Sequence, residues 1–367
     1  MIVHTAFENT VRTFRQPAHI ITCLDPLQIG QAFEQMEDWL AQGYYLAGYL
    51  SYEAGQALES SLPVVFSGTF PLVRMGCFRG ISDTLGGVLQ KRDFLISCMS
   101  LNIDQDSYVK NIAAIRDHIA RGDVYQITYC WKHKFDFKGD PRVLYKHLLQ
   151  AQPVPYSAYI EDGDRTILSL SPEMFIKKEF DYMITKPMKG TWPRGTGLLS
   201  DVCAGWNLHH DPKNRAENVM IADLLRNDLG RVGKKIRAPR LFEVNRYATL
   251  FQMTSTVTGE VDPKISVKDV FSALFPSGSV TGAPKIRSME IIRRIEKEQR
   301  HIYTGAIGYI TPERNMFFNV PIRTILLDKG KGEMGVGGGI VWDSTAEGEW
   351  MEGHLKARFL TSLAGDL

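Results

Sequence analysis

The decapeptide Lys186-Pro187-Met188-Lys189-Gly190-Thr191-Trp192-Pro193-Arg194-Gly195 sets one internal lysine, Lys189, between two prolines and two glycines. Pro187 and Pro193 fix φ and remove backbone donors, while Gly190 and Gly195 permit tight turns or close approach. The strand-like run Tyr182-Met183-Ile184-Thr185 leads into it, so Lys189 is expected at the rim of a sheet on backbone that is held still. A lysine so placed is a nucleophile if its surroundings lower its pKa. Otherwise it is a solvated lysine in a turn. Glu173, in Ser169-Leu170-Ser171-Pro172-Glu173, stands just past another strand end. A carboxyl group there is a general acid if apolar neighbours raise its pKa, and a solvated glutamate if they do not.

Two further groups have chemical potential. Gly337-Gly338-Gly339 ends a predicted strand, and three glycines in a row weaken a strand unless something approaches its backbone closely. The helix that follows carries Glu349, Glu352 and Lys356 at spacings of three and four, which puts them on one face. That face suits a hard cation and a carboxylate ligand, or else is a surface ladder of salt bridges. Phe275-Pro276-Ser277-Gly278-Ser279-Val280-Thr281-Gly282-Ala283-Pro284-Lys285 is a turn feeding a helix, whose free N–H groups favour an anion. Its lysine spacing is wrong for a phosphate-binding Walker loop. Glu217 lies one turn into a helix and can face a site, whereas the adjacent His209 and His210 point apart and make poor joint ligands.

The elements that must position these groups can be read from period and punctuation. Asp25-Pro26 starts a helix with Ile29, Phe33, Met36 and Leu40 on one face, and Gly43 ends it. Residues 44–54 read as a buried strand, and 60–100 as several short strands with Gly-rich turns. A helix is predicted over 106–121, a strand over 124–135, a helix over 141–150 and a hairpin over 156–170 around Asp162-Gly163-Asp164. Residues 192–212 show no period and read as a long irregular segment, a candidate lid containing Cys203. Asp211-Pro212 starts the next helix, about 213–229, with Asp223 and Arg226 as an i,i+3 pair. Ser266 caps a helix to about 275, and the last third is antiparallel over 303–310, 316–327 and 333–341.

Bulk properties exclude several classes. The composition, 44% hydrophobic and 23% charged over 367 residues, is that of an ordinary globular chain. A formal net charge of +2 with mixed signs gives no field for nucleic acid or an acidic membrane surface. The five cysteines are scattered, with no C-x-x-C pair, which argues against a zinc ribbon or a disulfide framework. No apolar run approaches a membrane span and residues 1–15 lack a signal-peptide core, so a reducing cytoplasm is expected.

Several long motifs together resemble the chorismate-utilising enzymes. They are GDVYQITY at 122–129, SLSPE at 169–173, KPMKGTWPRG at 186–195, RAENVMIADLLRNDLGRV at 215–232, FPSGSVTGAPKIRSMEII at 275–292, YTGAIGY at 303–309, NVPIRT at 319–324 and GGGIVWDSTAEGEWMEGHLKA at 337–357. The resemblance covers roughly 105–365, with a weaker match through Ser51-Tyr52-Glu53-Ala54-Gly55. Position 189 divides the family. Component I of anthranilate synthase has a Pro-Ile-Ala-Gly-Thr-like stretch here, component I of aminodeoxychorismate synthase has Pro-Ile-Lys-Gly-Thr, and this chain has Pro187-Met188-Lys189-Gly190-Thr191.

The resemblance implies an α+β fold of two packed, mostly antiparallel sheets with outer helices and a cleft near the sheet ends. It implies one intertwined domain over 1–367, with an N-terminal region 1–100 and a chorismate-binding catalytic region 105–365. Lys189 would attack the ring of chorismate and Glu173 would protonate the departing hydroxyl. Glu217, Glu349 and Glu352 would hold Mg²⁺. Gly190, Thr191, Gln252, Ser279, Tyr303, Arg323, Gly337, Gly339 and Lys356 would bind substrate. No amidotransferase nucleophile and no lyase domain are evident, so ammonia would come from a separate glutamine amidotransferase subunit and an aminodeoxychorismate lyase would act downstream. Four positions depart from the commonest family pattern: Asn214 replaces an acid, Gln252 a histidine, Trp192 an arginine and Thr128 an asparagine. Two other readings stay open: an anthranilate or isochorismate synthase that carries Lys189 and, motivated by Asn214 and Gln252, a non-catalytic chorismate-binding or regulatory subunit. The leucine-rich inhibitory motif of feedback-regulated relatives is not evident in residues 1–60, so no tryptophan inhibition is expected.

Overall fold

Alternating apolar and polar residues bury one face of a strand, and two sheets so patterned bury those faces against each other. A computed structural model describes residues 1–62, 68–82, 85, 94–247 and 250–364. Among these residues the strands form two antiparallel sheets, of nine and ten strands. The first runs Gly282–Ala283, Gln126–Lys138, Lys331–Ile340, Thr324–Asp328, Arg165–Ser171, Tyr156–Asp162, Ile2–Phe7 and Thr10–Arg15, with Leu95–Leu101 also paired to Gln126–Lys138. The second runs Met188–Pro193, Leu250–Val261, Tyr182–Lys186, Met174–Glu179, Met316–Asn319, Ala306–Ile310, Tyr45–Leu50, Val73–Phe78 and His19–Cys23, with Gly233–Arg246 also paired to Leu250–Val261.

Between the sheets lies an aromatic core. Phe7 of the first sheet meets Phe317 of the second at 5.0 Å between centroids, and Phe14 meets Phe78 at 5.5 Å. The outer face of the second sheet is covered by Ile29–Ala41, Pro212–Gly230 and Val267–Leu274, whose Phe33, Leu229 and Phe271 join Met75, Phe175 and Phe318. The outer face of the first is covered by Gln105–Ala120, Pro141–Ala151, Lys285–Ile295 and Ala346–Thr361, through Tyr108, Leu144, Ile291 and Leu360. Each such side chain contributes about 1.5–3 kcal/mol on burial. Side-chain caps start several of the helices: Asp104, Asp140, Asp211 and Ser266 each accept a backbone N–H of the first turn.

Three expectations are corrected. The strand near residue 45 stops at Leu50 and Tyr52–Leu58 is a helix, buried on nearly every side at its start, so that no period betrays it. Residues 198–210 are a helix and not an irregular lid, and Cys203 lies on it. Its Leu198, Leu199, Val202 and Trp206 face outward, 86%, 85%, 72% and 65% exposed, while Asp201 is buried on Arg194, so the usual inward apolar period is absent. Residues 316–327 are two strands in different sheets, broken at Val320-Pro321-Ile322-Arg323, with Arg323 at φ +50°. Of the short strands expected within 60–100, Val73–Phe78 and Leu95–Leu101 are present, and residues 63–67, 83–84 and 86–93 lie outside the described residues.

This last break matters for the site. The chain crosses from sheet to sheet at 171–174 and again at 319–324. The two crossings are bonded to each other, Val320 N–H donating to Glu173 O at 3.1 Å and Leu170 N–H to Arg323 O at 3.1 Å. Glu173 and Arg323 are thereby fixed at one end of the sandwich.

Candidate active site

Lys189 sits where Met188–Pro193 bulges: its register against Leu250–Val261 shifts between Met188 and Thr191, and Gly190 takes φ +97°. A bulge re-aims a side chain. Lys189 Nζ reaches the glycine run of Lys331–Ile340 in the other sheet, 2.5 Å from the point a Cβ on Gly339 would occupy. Gln126 Nε2 stands 2.3 Å from the same point. A Cβ on Gly338 would lie 2.8 Å from Glu349 Oε2, and one on Gly337 would lie 2.2 Å from Tyr129 O. The three glycines therefore make room for a lysine, two polar side chains and a neighbouring strand.

Burial holds the Lys189 amine below the ordinary lysine range, with Lys356 adding to the effect; Glu217, Glu173 and Glu352 act in the opposite direction and do not overcome it. Among the described residues Lys189 has no ion-pair partner. Glu173 is 3% exposed, and its Oε1 accepts from Ser279 Oγ at 2.5 Å, with Ser277 Oγ 2.9 Å from Ser279 Oγ. Burial pushes its carboxyl up to about 7, against the opposing pull of Ser279, Lys189 and the Met188 backbone. A carboxylic acid with that pKa can give up a proton near neutral pH. Arg323 is pushed down to about 10 by burial, which leaves it cationic at neutral pH. No carboxylate among the described residues pairs with it; Tyr247 is the group beside it. A half-buried guanidinium without a carboxylate suits an anionic ligand.

Glu349 and Glu352 project from Ala346–Thr361 on one face, as expected. Glu349 accepts from Ser344 Oγ at 2.6 Å, and Glu352 pairs with Lys356 Nζ at 2.7 Å. Lys356 also donates to Gly337 O at 2.9 Å. Burial, and after it the charge of Glu352, raises the Glu349 carboxyl, while Lys356 lowers that of Glu352. Glu217 faces the same amine from Pro212–Gly230. Among the described residues no three acidic, histidine or cysteine groups stand close enough together to grip a metal. Two neighbouring carboxylates still fit Mg²⁺, which takes one or two carboxylates and keeps several waters.

Other expected residues are less central or differently engaged. Thr191 is exposed and pairs in register with Gln252, which is 2% exposed with Oε1 unpartnered. Tyr303 packs its ring against Gly335 and its hydroxyl lies beside the Cys130 thiol. The departures have visible neighbours. Asn214 donates to Asp211 at 2.8 Å and lies 3.0–3.2 Å from where a Gly190 Cβ would sit. Thr128 N–H donates to Thr281 O at 2.7 Å and its hydroxyl to Ser279 O at 3.4 Å, so it steadies the Ser279 turn. Trp192 packs on the Ala204, Leu208, Phe251 and Met253 cluster. Two pocket residues had not been singled out. Gln126 is fully buried with both amide atoms unpartnered, and Tyr247 feels the charges of both Arg323 and Glu173.

The profile of the family described as chorismate binding enzyme matches residues 88–362. Aminodeoxychorismate synthase component 1 of Klebsiella aerogenes is 37% identical over 260 residues, 70% of this chain and 58% of its own length. Anthranilate synthase component 1 of Streptomyces coelicolor is 36% identical over 260 residues, 70% of this chain and 51% of its own length. The chain thus spans between about half and three fifths of these curated relatives. Anthranilate synthase component I from Streptococcus pneumoniae superimposes with a TM-score of 0.75 at 23% identity, covering 98% of this chain and 89% of that one. The menaquinone-specific isochorismate synthase from Escherichia coli gives 0.80 at 17%, covering 99% and 88%. With its motifs, its paired sheets and these relatives, the chain belongs to the chorismate binding enzyme family.

Proposed function

We propose that this chain converts chorismate and ammonia into 4-amino-4-deoxychorismate. The observation that carries this reading is Lys189, a desolvated amine without an ion-pair partner among the described residues, in one pocket with a carboxyl group poised near pH 7. The attack requires a neutral Lys189 Nζ, toward which burial pushes the amine, and forms a bond to ring carbon 2. The ring double bonds shift and the 4-hydroxyl leaves as water with the proton of Glu173. Ammonia then bonds to carbon 4, the double bonds shift back, and the C–N bond to Lys189 breaks, with the surplus proton returned to Glu173. Splitting the exchange into two displacements is what a covalent nucleophile contributes. Arg323 and Tyr303 hold a substrate carboxylate, with Gly190, Thr191, Gln252, Ser279, Gly337, Gly339 and Lys356 lining the pocket. Glu217, Glu349 and Glu352 would hold Mg²⁺, in part through water, and the ion would supply charge that neutralises the ring carboxylate. A separate glutaminase subunit supplies the ammonia and a lyase consumes the product toward 4-aminobenzoate and folate, in the cytoplasm.

Product analysis tests this reading. Purified protein with chorismate, Mg²⁺ and an ammonium salt is expected to yield 4-amino-4-deoxychorismate by chromatography and mass. Anthranilate or isochorismate as product would keep the family and remove Lys189 as the residue that decides the outcome. A chain that consumes no chorismate would be a binding subunit.

Gly339→Ala gives a sharper check on the pocket. The new methyl would meet the free ends of Lys189 and Gln126, both flexible, so the fold survives and the lysine is displaced. Turnover is expected to drop roughly 100-fold, the scale of a misplaced reacting group, with the melting temperature within a few degrees of wild type. Undiminished turnover would show that Lys189 does not need its place against Gly339.

A further inference from the structure

Arg300 lies outside the pocket and is 3% exposed, yet three of the segments it touches carry pocket residues. Its Nη1 donates to Val280 O at 2.8 Å, the carbonyl next to Ser279, and to Thr304 Oγ1 at 3.2 Å, next to Tyr303. Its Nη2 donates to Thr128 O at 2.7 Å and to Glu296 Oε1 at 2.7 Å, and its Nε to Glu296 Oε2 at 2.8 Å. Its own N–H donates to Glu53 at 2.7 Å, and the Tyr52 ring lies 4.3 Å beneath the guanidinium. Glu296 accounts for the charge. Glu296 takes two of the five N–H donors, and burial demands acceptors for the other three; the acceptors here are Thr304 and the carbonyls of Thr128 and Val280, and the two carbonyls tie the guanidinium to the site.

Those carbonyls belong to the two segments that hold Ser279. Thr128 is already tied to the turn by its N–H to Thr281 O and its hydroxyl to Ser279 O. Arg300 adds a planar bridge from Thr128 O to Val280 O, which closes the turn against the strand Gln126–Lys138. Only a guanidinium offers donors in a rigid fork of that shape; an ammonium would satisfy Glu296 and leave a carbonyl unpartnered. We infer that Arg300 is a positioning residue whose guanidinium clamps the turn 277–281 and so keeps the Ser279 hydroxyl on Glu173. This inference rests on the reading of Glu173 as the proton donor. Glu173 is also faced by Lys189, by the Met188 backbone and by Tyr247 and Tyr156, none of which Arg300 touches. Around Arg300 itself stand Glu296, Cys130, Tyr52, Tyr303 and Glu53.

The test compares kcat against pH, with thermal melting alongside, for wild type, Glu173→Gln, Ser279→Ala, Arg300→Lys and the Ser279→Ala/Arg300→Lys pair. A hydrogen bond from Ser279 favours the ionised carboxyl, so Ser279→Ala should move the loss of activity to higher pH by about one unit. Arg300→Lys should move it the same way and lower kcat about 10- to 100-fold. The pair should go no further than Ser279→Ala alone, because both changes act through one contact. A limb unmoved in Arg300→Lys, or effects that simply add, would overturn the clamp. Should Arg300→Lys fail to fold, Arg300→Gln/Glu296→Gln removes both charges together and must shift the limb likewise, an unmoved limb again overturning the clamp. The catalytic reading fails separately, by Glu173→Gln keeping full activity, and the inference then falls with it.

Discussion

Replacing Lys189 by alanine is expected to lower formation of 4-amino-4-deoxychorismate on the order of 10³-fold or more, the scale that follows loss of a covalent nucleophile. The fold should be untouched. Lys189 Nζ makes no ion pair among the described residues, so its removal strands no buried partner, and the backbone that carries it is held independently by Asn218 at Lys189 O. Chorismate binding should persist, because Arg323 and the glycine run remain. Without the lysine, ammonia can add directly at ring carbon 2 as the 4-hydroxyl leaves, so residual turnover should divert toward anthranilate, with release of pyruvate. A second observable follows from the same chemistry. Wild-type protein quenched in chorismate and Mg²⁺ without ammonia should carry an adduct of chorismate less water on the peptide containing Lys189. Alanine protein that still makes 4-amino-4-deoxychorismate at near wild-type rate would end the covalent reading.

Much of this arrangement can be read from residue order, for physical reasons that also explain what cannot. Helix starts are local, so Asp211 and Ser266 declare them within three residues. The glycine run at 337–339 announces that something approaches the strand; that it is Lys189 and Gln126 depends on a contact between sheets that no local period encodes. The sheet change at Val320–Arg323 hides inside an apolar stretch marked only by Pro321, because both strands are buried on two faces. The helix Leu198–His210 is missed for the opposite reason, since its apolar residues point outward. Glu173 is legible as a carboxyl after a strand. That Ser279 pairs with it and Tyr247 stands near it is not, because both arrive from segments remote in sequence. Lys356 stands apart from both cases: its helical spacing from Glu352 is local and predicts their pairing, while its bond to Gly337 O is tertiary.

Glu173→Gln should cost about 10²–10⁴-fold in kcat, the range for a general acid, and its pH behaviour separates that role from simple packing. The carboxyl must be protonated to release water from carbon 4. With burial pushing its pKa up to about 7, wild-type turnover should fall as pH rises through neutrality, and the glutamine protein should show only its low, pH-independent remainder over that limb. The same shift predicts a stability effect of definite sign. A carboxyl whose folded pKa exceeds its unfolded value of 4.5 favours the native state fully below that value, and the benefit is lost as pH climbs through about 7. Above that pH the native protein must bury a charge at Glu173, which glutamine does not ask of it while keeping the same size and an acceptor for Ser279. Glu173→Gln should therefore melt a few degrees higher than wild type at pH 8 and lose that advantage by pH 5. A glutamine protein that is both fully active and no more stable at pH 8 would mean that the Glu173 carboxyl is already ionised there at no cost, and that the leaving hydroxyl takes its proton from another group.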